Sequence, residues 1–594
     1  MTKGNDGIRW DLSAIYTGMD DHKVSEDRRF VQEEARGIRE RFRGRIGEIF
    51  PSEMAVLLQK LERINETYGR LGAFAFLLFA ADTSDEKISG FLQSMQELGS
   101  NLSSDLSFFD IEWSSLDDQQ AQVHLDDPKL ASYHHFLRKS RKYRDYVLSE
   151  PEERIVARYS IVAGSSFTKL FNKVMGKLTF GAEQLGQEQV LSRLHDASRE
   201  VRQQAQQDYT EGLKDNIHIL THIYNTVITE KMISDELRNY PHWVHSMNLS
   251  NDLSDDAVEN LVGSVVSRYD IPQRYYRLKG EILGVDRLYD YDRYAPLRKV
   301  NKHYSWEYAQ AAVLDSLDAI SPQMAGIARE FFDKHWIDSV CHPRKRSGAF
   351  AHPVTTDTHP VILTNYTGNF RDMETLAHEL GHGIHQYLAR KQGYFGSNTP
   401  LVLAETASVF AEMVLFEREY AKLCDPQEQL AALCAKIESI LATVFRQISM
   451  NRFEHAFHTT RRKEGELSSE RISALWMETQ QAMFGDSVEL TQNYSLWWSY
   501  IPHFINAPGY VYSYAFGELL VLALYNQYRQ ASDKDAFIDR YLEVLSLGGT
   551  CTPADALAKL DVNIDNPEFW SSGLAAIEEL VNEAELLYKK QQFR

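Results

Sequence analysis

Three residues on one predicted helix have the types and spacing needed to hold and use a metal ion. They are His378, Glu379 and His382, in the sequence Thr375-Leu-Ala-His-Glu-Leu-Gly-His. Histidines four residues apart project from the same helix face, so His378 and His382 are able to grip one ion. Glu379 leans over the edge of that face, where it is placed to take a proton from a metal-bound water. A helix whose histidines only pack or form hydrogen bonds is the alternative.

A catalytic zinc site needs a third protein ligand and an open fourth position. After His382 the helical pattern runs to Lys391, breaks over residues 392–400 at Gly, Asn and Pro residues, and resumes at Leu401. A break of this kind lets the second helix fold back along the first. Glu405 is therefore the predicted third ligand. The pattern is that of an HExxH metallopeptidase with one zinc ion per chain.

Helix spacing argues against two other histidine arrangements. A metzincin site needs a histidine ten residues after His378, but position 388 is leucine. His385 lies two helical turns beyond His378, about 10 Å along the helix axis, so it cannot share an ion with both other histidines. We expect His385 to pack or to support the site indirectly.

Several sequence segments around the motif carry a family resemblance. They are Pro360-Val-Ile-Leu-Thr-Asn-Tyr-Thr-Gly368, Asp372-Met-Glu-Thr-Leu-Ala-His-Glu-Leu-Gly-His382 and Glu405-Thr-Ala-Ser408. They resemble the M3 family of zinc peptidases, which includes thimet oligopeptidase, and most of all its oligoendopeptidase F branch. The resemblance covers the chain from about residue 200 and is weaker before it. It implies a mostly α-helical, zincin-type body with a small β-sheet beside the active site and two halves around a deep substrate channel.

Two segments before the motif have strand character, residues 346–352 and 361–365. They predict a small sheet beside the metal-binding helix. In zincins an edge strand pairs with the extended backbone of the substrate. Gly348 and Ala349 would permit close approach of that backbone, as the family resemblance also suggests. A plain two-stranded ribbon packed on the helix is the alternative.

Residues 494–518 combine many aromatic side chains with Pro, Gly and one histidine. Aromatic clusters usually form core. The M3 resemblance, however, carries His503, Tyr510 and Tyr514 over as contacts to the substrate and the transition state. Tyr514 fits the family pattern through its place before Gly517, whereas the distance from His503 to Tyr510 differs from that in the thimet branch.

Three further carboxylates are candidates for orienting the imidazoles: Asp372, Glu374 and Glu412. Glu412 follows Glu405 by seven residues and so shares its helix face. A solvated or helix-pairing carboxylate is the alternative for each of the three.

Composition restricts the partners and the compartment. The net charge of −20 disfavours nucleic acid and anionic membranes as partners. Oligopeptide substrates are the partners that the M3 resemblance implies. The four cysteines lack CxxC spacing, so we expect reduced thiols in a cytoplasmic enzyme. The amino terminus lacks the apolar stretch of a signal peptide, and no window approaches twenty apolar residues. The apolar run at residues 71–81 predicts a buried core helix.

A chain of 594 residues is too long for one compact core. We place an amino-terminal helical region of the oligoendopeptidase F type at residues 1–195 and the catalytic region at residues 196–594. The predicted function is a zinc-dependent endopeptidase that hydrolyses internal bonds of short oligopeptides with Glu379 as general base. A metallocarboxypeptidase of the all-α HExxH type and a non-catalytic peptide-binding protein are the alternatives.

Overall fold

The computed structural model describes residues 7–160, 162–297 and 302–592. In its first half the helices are α1 (His22–Phe42), α2 (Pro51–Ala81), α3 (Glu86–Leu106), α4 (Phe108–Ser115), α5 (Asp118–Leu125), α6 (His134–Arg141), α7 (Glu150–Ser160), α8 (Gly164–Met175), α9 (Gln187–Ser192), α10 (Arg199–Leu237), α11 (His245–Ser250), α12 (Asp255–Val266) and α13 (Asp270–Leu283).

The second half continues with α14 (Trp306–Asp318), α15 (Pro322–Asp333), α16 (Phe370–Ala389), α17 (Gly393–Ser397), α18 (Leu401–Tyr420), α19 (Pro426–Thr443), α20 (Phe445–Glu464), α21 (Ser469–Phe484), α22 (His503–Asn506), α23 (Tyr512–Gln530), α24 (Lys534–Ser546), α25 (Pro553–Ala558) and α26 (Pro567–Gln592). The described residues also contain three short strands, β1 (Ile337–Asp338), β2 (Phe350–His352) and β3 (Val361–Leu363). The mostly α-helical class with a small sheet is thus confirmed.

The described residues divide into two compact units, each assembled from separate stretches of the chain. The first unit takes its residues from Met1–Arg144, Asn301–Lys422 and Gln527–Asn563; the second takes them from Asp145–Val300, Leu423–Asn526 and Ile564–Arg594. Both units are discontinuous in sequence, so they cannot be compared directly with two consecutive regions of the chain. The division at residue 195 stays a prediction about sequence regions.

The sheet of the first unit has the order β1-β3-β2, with β3 in the centre. β2 is antiparallel to β3, with Ala351 opposite Ile362, and β1 is parallel to β3. Every residue of β3 is buried, which explains its unbroken apolar sequence. Both predicted strands are present in shortened form, and β1 is an addition to the prediction. The sheet packs against α16.

Helix α2 contains the apolar run predicted to be a core helix, and Leu71, Phe74 and Leu77 are buried there. In the second unit, the 39-residue helix α10 packs against a 3-10 helix at Gln492–Tyr500 and against α20 and α21. Tyr224, Trp476 and Trp498 lie in this core, so part of the aromatic segment is indeed packing. Among the described residues, no helix has the length and apolarity required to cross a bilayer.

Candidate metal and catalytic site

Helix α16 begins with a capping box that fixes where its histidines stand. The Asn369 side chain accepts a hydrogen bond from the Asp372 backbone N–H at 2.9 Å. The Asp372 Oδ2 in turn accepts hydrogen bonds from the backbones of Thr367 and Gly368 at 2.7 and 2.9 Å. This arrangement satisfies donors that a helix start leaves open. Asp372 is therefore engaged in the cap, and no described hydrogen bond joins it to an imidazole.

Close packing of two helices brings the predicted third ligand towards the two histidines. The predicted break contains a 3-10 turn at Arg390–Gln392 and the short helix α17 before α18 begins. At Gly381 on α16, an added Cβ atom would lie 2.5 Å from the Ala407 carbonyl oxygen and from Ser408 Cα. Only glycine permits this approach of the α18 backbone.

His378, His382 and Glu405 come together in the first unit with their ligand atoms within 4.8 Å of one another. The Glu405 Oε2 lies 3.4 Å from the His378 Nε2 and 3.4 Å from the His382 Nε2. Ligand atoms about 2.1 Å from a tetrahedral zinc ion stand about 3.4 Å apart. Two imidazoles and one carboxylate in this arrangement fit a zinc ion, and the three residues leave a fourth position for water or substrate.

Glu379 projects from the same helix and is 7% exposed. Burial raises the pKa of Glu379 to about 7, although the charge of His378 and a hydrogen bond from the Ala351 backbone act in the opposite direction. The carboxyl group thus belongs to a helix that carries both histidines and contacts strand β2. A carboxyl with a pKa near neutrality is suited to accept and return a proton.

One carboxylate and one hydroxyl contact the predicted ligand residues. The Glu412 Oε2 lies 3.4 Å from the His378 Nδ1, on the ring atom that does not face Glu405. Burial opposes the charge of His378, but the Glu412 hydrogen bond and the Glu405 charge raise the pKa of that ring to about 9. Ser408, which sequence reasoning missed, donates a 2.7 Å hydrogen bond to the Glu405 Oε2. Its position three residues after Glu405, on the same helix face, is the signal that was available.

The remaining predicted residues of the first unit take different places. His385 is buried, burial lowers its pKa to about 3, and its Nε2 lies 3.4 Å from the Thr399 hydroxyl. Glu374 lies one turn before His378 on α16. Gly348 is exposed with a φ of 81°, and Ala349 is half-buried just before β2. The roles proposed for Gly348, Ala349 and Glu374 stay predictions.

In the second unit, His503, Tyr510 and Tyr514 form one aromatic cluster. The His503 Nε2 lies 3.1 Å from the Tyr514 hydroxyl. The His503 and Tyr510 rings are parallel with centroids 6.4 Å apart, and the Tyr510 and Tyr514 rings meet edge to face at 5.2 Å. Burial and the Arg446 charge lower the pKa of His503. A neutral imidazole and two phenols are hydrogen-bond donors of the kind that stabilise an oxyanion.

A second group of metal-binding residue types lies in the second unit. His242, His245 and Asp255 are mutually close. The Asp255 Oδ2 is 2.9 Å from the His242 Nε2 and 2.7 Å from the His245 Nδ1. These separations are hydrogen-bond lengths and are shorter than the spacing of two ligands around one zinc ion, about 3.4 Å. We therefore interpret this group as a hydrogen-bonded cluster.

Comparisons with known proteins agree over most of the chain. The family model described as Peptidase family M3 matches residues 192–576, and the model described as Oligopeptidase F matches residues 112–180. Oligopeptidase PepF of Bacillus subtilis (strain 168) is 30% identical over 542 residues, which cover 89% of this chain and 80% of the relative. An oligoendopeptidase F homolog of Borreliella burgdorferi is 27% identical over 84% of this chain and 85% of its own length. The solved structure of oligoendopeptidase-F from Enterococcus faecium shares the fold, with a TM-score of 0.72 at 23% identity over 95% of this chain and 99% of that chain.

Proposed function

The chain belongs to peptidase family M3 and is a metalloendopeptidase, and we propose that it cleaves short oligopeptides with one zinc ion and Glu379 as general base. The observation that carries the proposal is the pair of 3.4 Å separations between Glu405 and the two histidines. They match the spacing of ligands around one tetrahedral ion, about 3.4 Å.

His378, His382 and Glu405 would hold the ion. Zinc bound by two neutral imidazoles and one carboxylate supplies Lewis-acid chemistry, which makes a water acidic near neutral pH and polarises a peptide carbonyl. Glu412 keeps the His378 ring oriented through its Nδ1, and Ser408 restrains the Glu405 carboxylate.

Glu379 moves the proton in the proposed reaction. Its carboxylate takes a proton from the attacking water and returns a proton to the leaving amine. Family resemblance assigns Tyr514, Tyr510 and His503 to the substrate, where their donors would stabilise the developing oxyanion. The hydrogen-bonding contact between His503 and Tyr514 supports their assignment as one group.

Zinc content and cleavage mapping test the proposal together. We expect about one zinc ion per chain and internal cuts when a mixed pool of short peptides is examined by mass spectrometry. Amidation of the substrate's carboxyl terminus should leave cleavage unchanged, whereas a metallocarboxypeptidase would be blocked. Glu405→Ala should lose most of the bound zinc. Zinc at full occupancy in that variant would mean that another residue is the third ligand, and a zinc-loaded chain without cleavage would support a peptide-binding protein.

We also propose a cellular compartment for the protein. Cys341, Cys434 and Cys551 carry thiol groups outside any disulfide in the structure, which supports a reducing compartment such as the cytoplasm. Oligopeptides are the proposed partners.

A further inference from the structure

The turn that precedes Tyr510 is held by a buried carboxyl group on another helix. Glu454 lies on α20, is 3% exposed, and accepts a 2.8 Å hydrogen bond on its Oε1 from the Gly509 backbone N–H. Burial raises the pKa of Glu454 to about 8, although the bond from Gly509 lowers it. The aromatic segment is therefore tied to the interior of the second unit at the residue before Tyr510.

Gly509 is closely confined on its other side. Its φ of 83° lies in the left-handed region that favours glycine. A Cβ atom there would lie 3.1 Å from Val244 Cγ2 and 3.4 Å from the Trp243 ring. The turn is thus clamped between the Glu454 carboxyl and the segment that carries Val244 and Trp243.

The clamp reaches the proposed donors through the backbone. The Tyr510 N–H donates to the Ala507 carbonyl at 3.1 Å, and the Tyr510 carbonyl accepts from the Ser513 N–H at 2.9 Å. The hydrogen bond to Glu454 holds the peptide between Pro508 and Gly509, and Gly509 links it directly to the next peptide, between Gly509 and Tyr510, whose N–H bonds to Ala507. A tilt of that peptide changes the direction in which the Tyr510 hydroxyl points.

Packing of the second unit alone does not account for a glutamate at this position. The Glu454 Oε2 is buried and has no hydrogen-bond partner among the described residues. Burying an unsatisfied polar atom destabilises a fold, and an apolar side chain of similar size would avoid that cost. The Glu454 carboxyl group therefore carries a cost in stability, which points to a role in function.

We propose that Glu454 is a positioning residue that fixes the Gly509 turn, so that the Tyr510 hydroxyl is aimed at the reacting peptide bond. This inference rests on the proposed function, because Tyr510 has a reacting bond to meet only if the chain is a peptidase.

A double-mutant cycle tests the inference. We expect Tyr510→Phe to lower kcat by about 10²–10³, the usual cost of one oxyanion donor. Glu454→Ala should lower kcat by about tenfold or more with little change in KM, and Glu454→Gln should restore most of the loss because its amide oxygen accepts the same N–H. The Glu454→Ala/Tyr510→Phe double variant should be no slower than Tyr510→Phe alone. Losses that multiply would overturn the proposal.

A matched variant on the same helix separates positioning from general destabilisation. Ser449 is buried on α20, donates to the Thr479 carbonyl at 3.1 Å and accepts from Gln480 at 2.8 Å. Ser449→Ala should lower the unfolding temperature without lowering kcat. An equal loss of kcat in this variant would assign the Glu454 effect to stability and sink the proposal.

Two further measurements keep the outcomes distinct. If Glu454→Ala does not fold, Gly509→Ala disturbs the same turn from the opposite side and should show the same loss of kcat. Combining Gly509→Ala with Tyr510→Phe should then lower kcat no further than Tyr510→Phe alone. A wild-type chain that binds zinc but cleaves no peptide would overturn the proposed function. An active wild type with a fully active Tyr510→Phe variant would overturn only the inference about Glu454.

Discussion

Glu379 differs in its surroundings from the other carboxylates described beside the two histidines. It is buried on the helix that carries both histidines, and burial raises its pKa to about 7. Glu405 and Glu412 are also carboxylates, but they lie against imidazole nitrogens, where they would be occupied as a ligand and an orienting group. The proposal therefore assigns proton transfer to Glu379.

Glu379→Gln should separate metal binding from turnover. The amide keeps the shape of the side chain but cannot accept the proton, so we expect kcat to fall by about 10²–10⁴. Zinc content should equal that of the wild type, since Glu379 is not among the three ligands. Peptide cleavage assays and elemental analysis on the same sample measure both quantities. Turnover close to that of the wild type would refute the assignment of the base.

Ser408→Ala should weaken zinc binding without removing a ligand. The hydroxyl restrains the Glu405 Oε2, and loss of such a supporting contact typically costs about 10–100-fold in metal affinity. Competition with a chelator measures the dissociation constant. Thr406→Val is the matched control on α18, because the Thr406 hydroxyl is buried and has no hydrogen-bond partner among the described residues. Equal affinities in both variants would show that Ser408 does not support the ligand.

The local sequence was enough to propose the ligand set, whereas the contacts that support it needed the fold. His378 and His382 follow from helix periodicity, and Glu405 follows from the glycine-rich break. Asp372 was a candidate for orienting an imidazole, yet its carboxylate accepts hydrogen bonds from the backbone of the preceding turn. Glu454 lies 55 residues from its Gly509 partner, and local periodicity carries no signal for such a pair.

At the scale of elements, the approach of α16 and α18 determines the geometry of the proposed ligands. Gly381→Ala would place a Cβ atom 2.5 Å from the Ala407 carbonyl oxygen, so the two helices must separate. We expect a loss of about 1–3 kcal/mol in the free energy of unfolding, typical of overpacking, together with weaker zinc binding because Glu405 moves with α18.

Gly90→Ala is the control for that substitution. Gly90 is an exposed residue inside α3 with no atom within 4 Å of an added Cβ. Alanine there should stabilise the helix by about 0.5–1 kcal/mol and leave zinc affinity unchanged. Denaturant unfolding and chelator competition on both variants provide the comparison. Unchanged zinc affinity in Gly381→Ala would show that close helix packing is not required at the site.

Helix ends and strands were predictable to different degrees. Ser254 caps α12, where its hydroxyl accepts a hydrogen bond from the Ala257 N–H, and serine is a residue type that sequence alone associates with helix starts. The long helical segment 426–464 is divided at Val444 into α19 and α20, a break that helical periodicity does not indicate. Strand β1 has two residues, too few for any alternation of polar and apolar side chains to be visible. The strand is recognisable only in the structure, through its parallel pairing with β3.

At the scale of the whole molecule, Glu454 should make stability depend on pH. Its folded pKa of about 8 exceeds the value of about 4.3 in an unfolded chain. Between these values the folded state holds a proton that the unfolded state has lost, so its contribution to stability falls as pH rises through that range. Two titratable neighbours do not interfere. Burial raises the pKa of Tyr224 and lowers the pKa of His458, which lies one turn along α20 from Glu454. Both side chains are therefore uncharged in this pH range.

Glu454→Gln removes this titration. The free energy of unfolding of the variant, relative to the wild type, should therefore increase between about pH 5 and pH 8 and stay constant above that range. Urea unfolding at several pH values measures the difference. If the free energies of unfolding of the variant and the wild type differ by the same amount at every pH, Glu454 does not hold an additional proton in the folded state.

The organisation of the chain into units was the least accessible feature from sequence. Each unit collects three stretches, and the stretch Gln527–Asn563 joins residues more than a hundred positions earlier in the first unit. Helical periodicity predicts which face of an element is buried but not which distant element covers it. The fold class came from the family resemblance. Chain length indicated only that the protein has more than one hydrophobic core.

Substrate length provides the last test at this scale. The M3 resemblance implies a channel that admits short peptides and excludes folded proteins, so cleavage should depend on the length of the substrate. In a series of internally quenched peptides with one common cleavage sequence and increasing flanks, we expect kcat/KM to fall steeply beyond a limiting length. A chemically denatured protein that contains the same sequence should be cut far more slowly, because an extended chain still has to thread into the channel.

Glu379→Gln is the control for contaminating peptidases. Efficient cleavage of the denatured protein would contradict a restricting channel while leaving the zinc site and the base assignment intact.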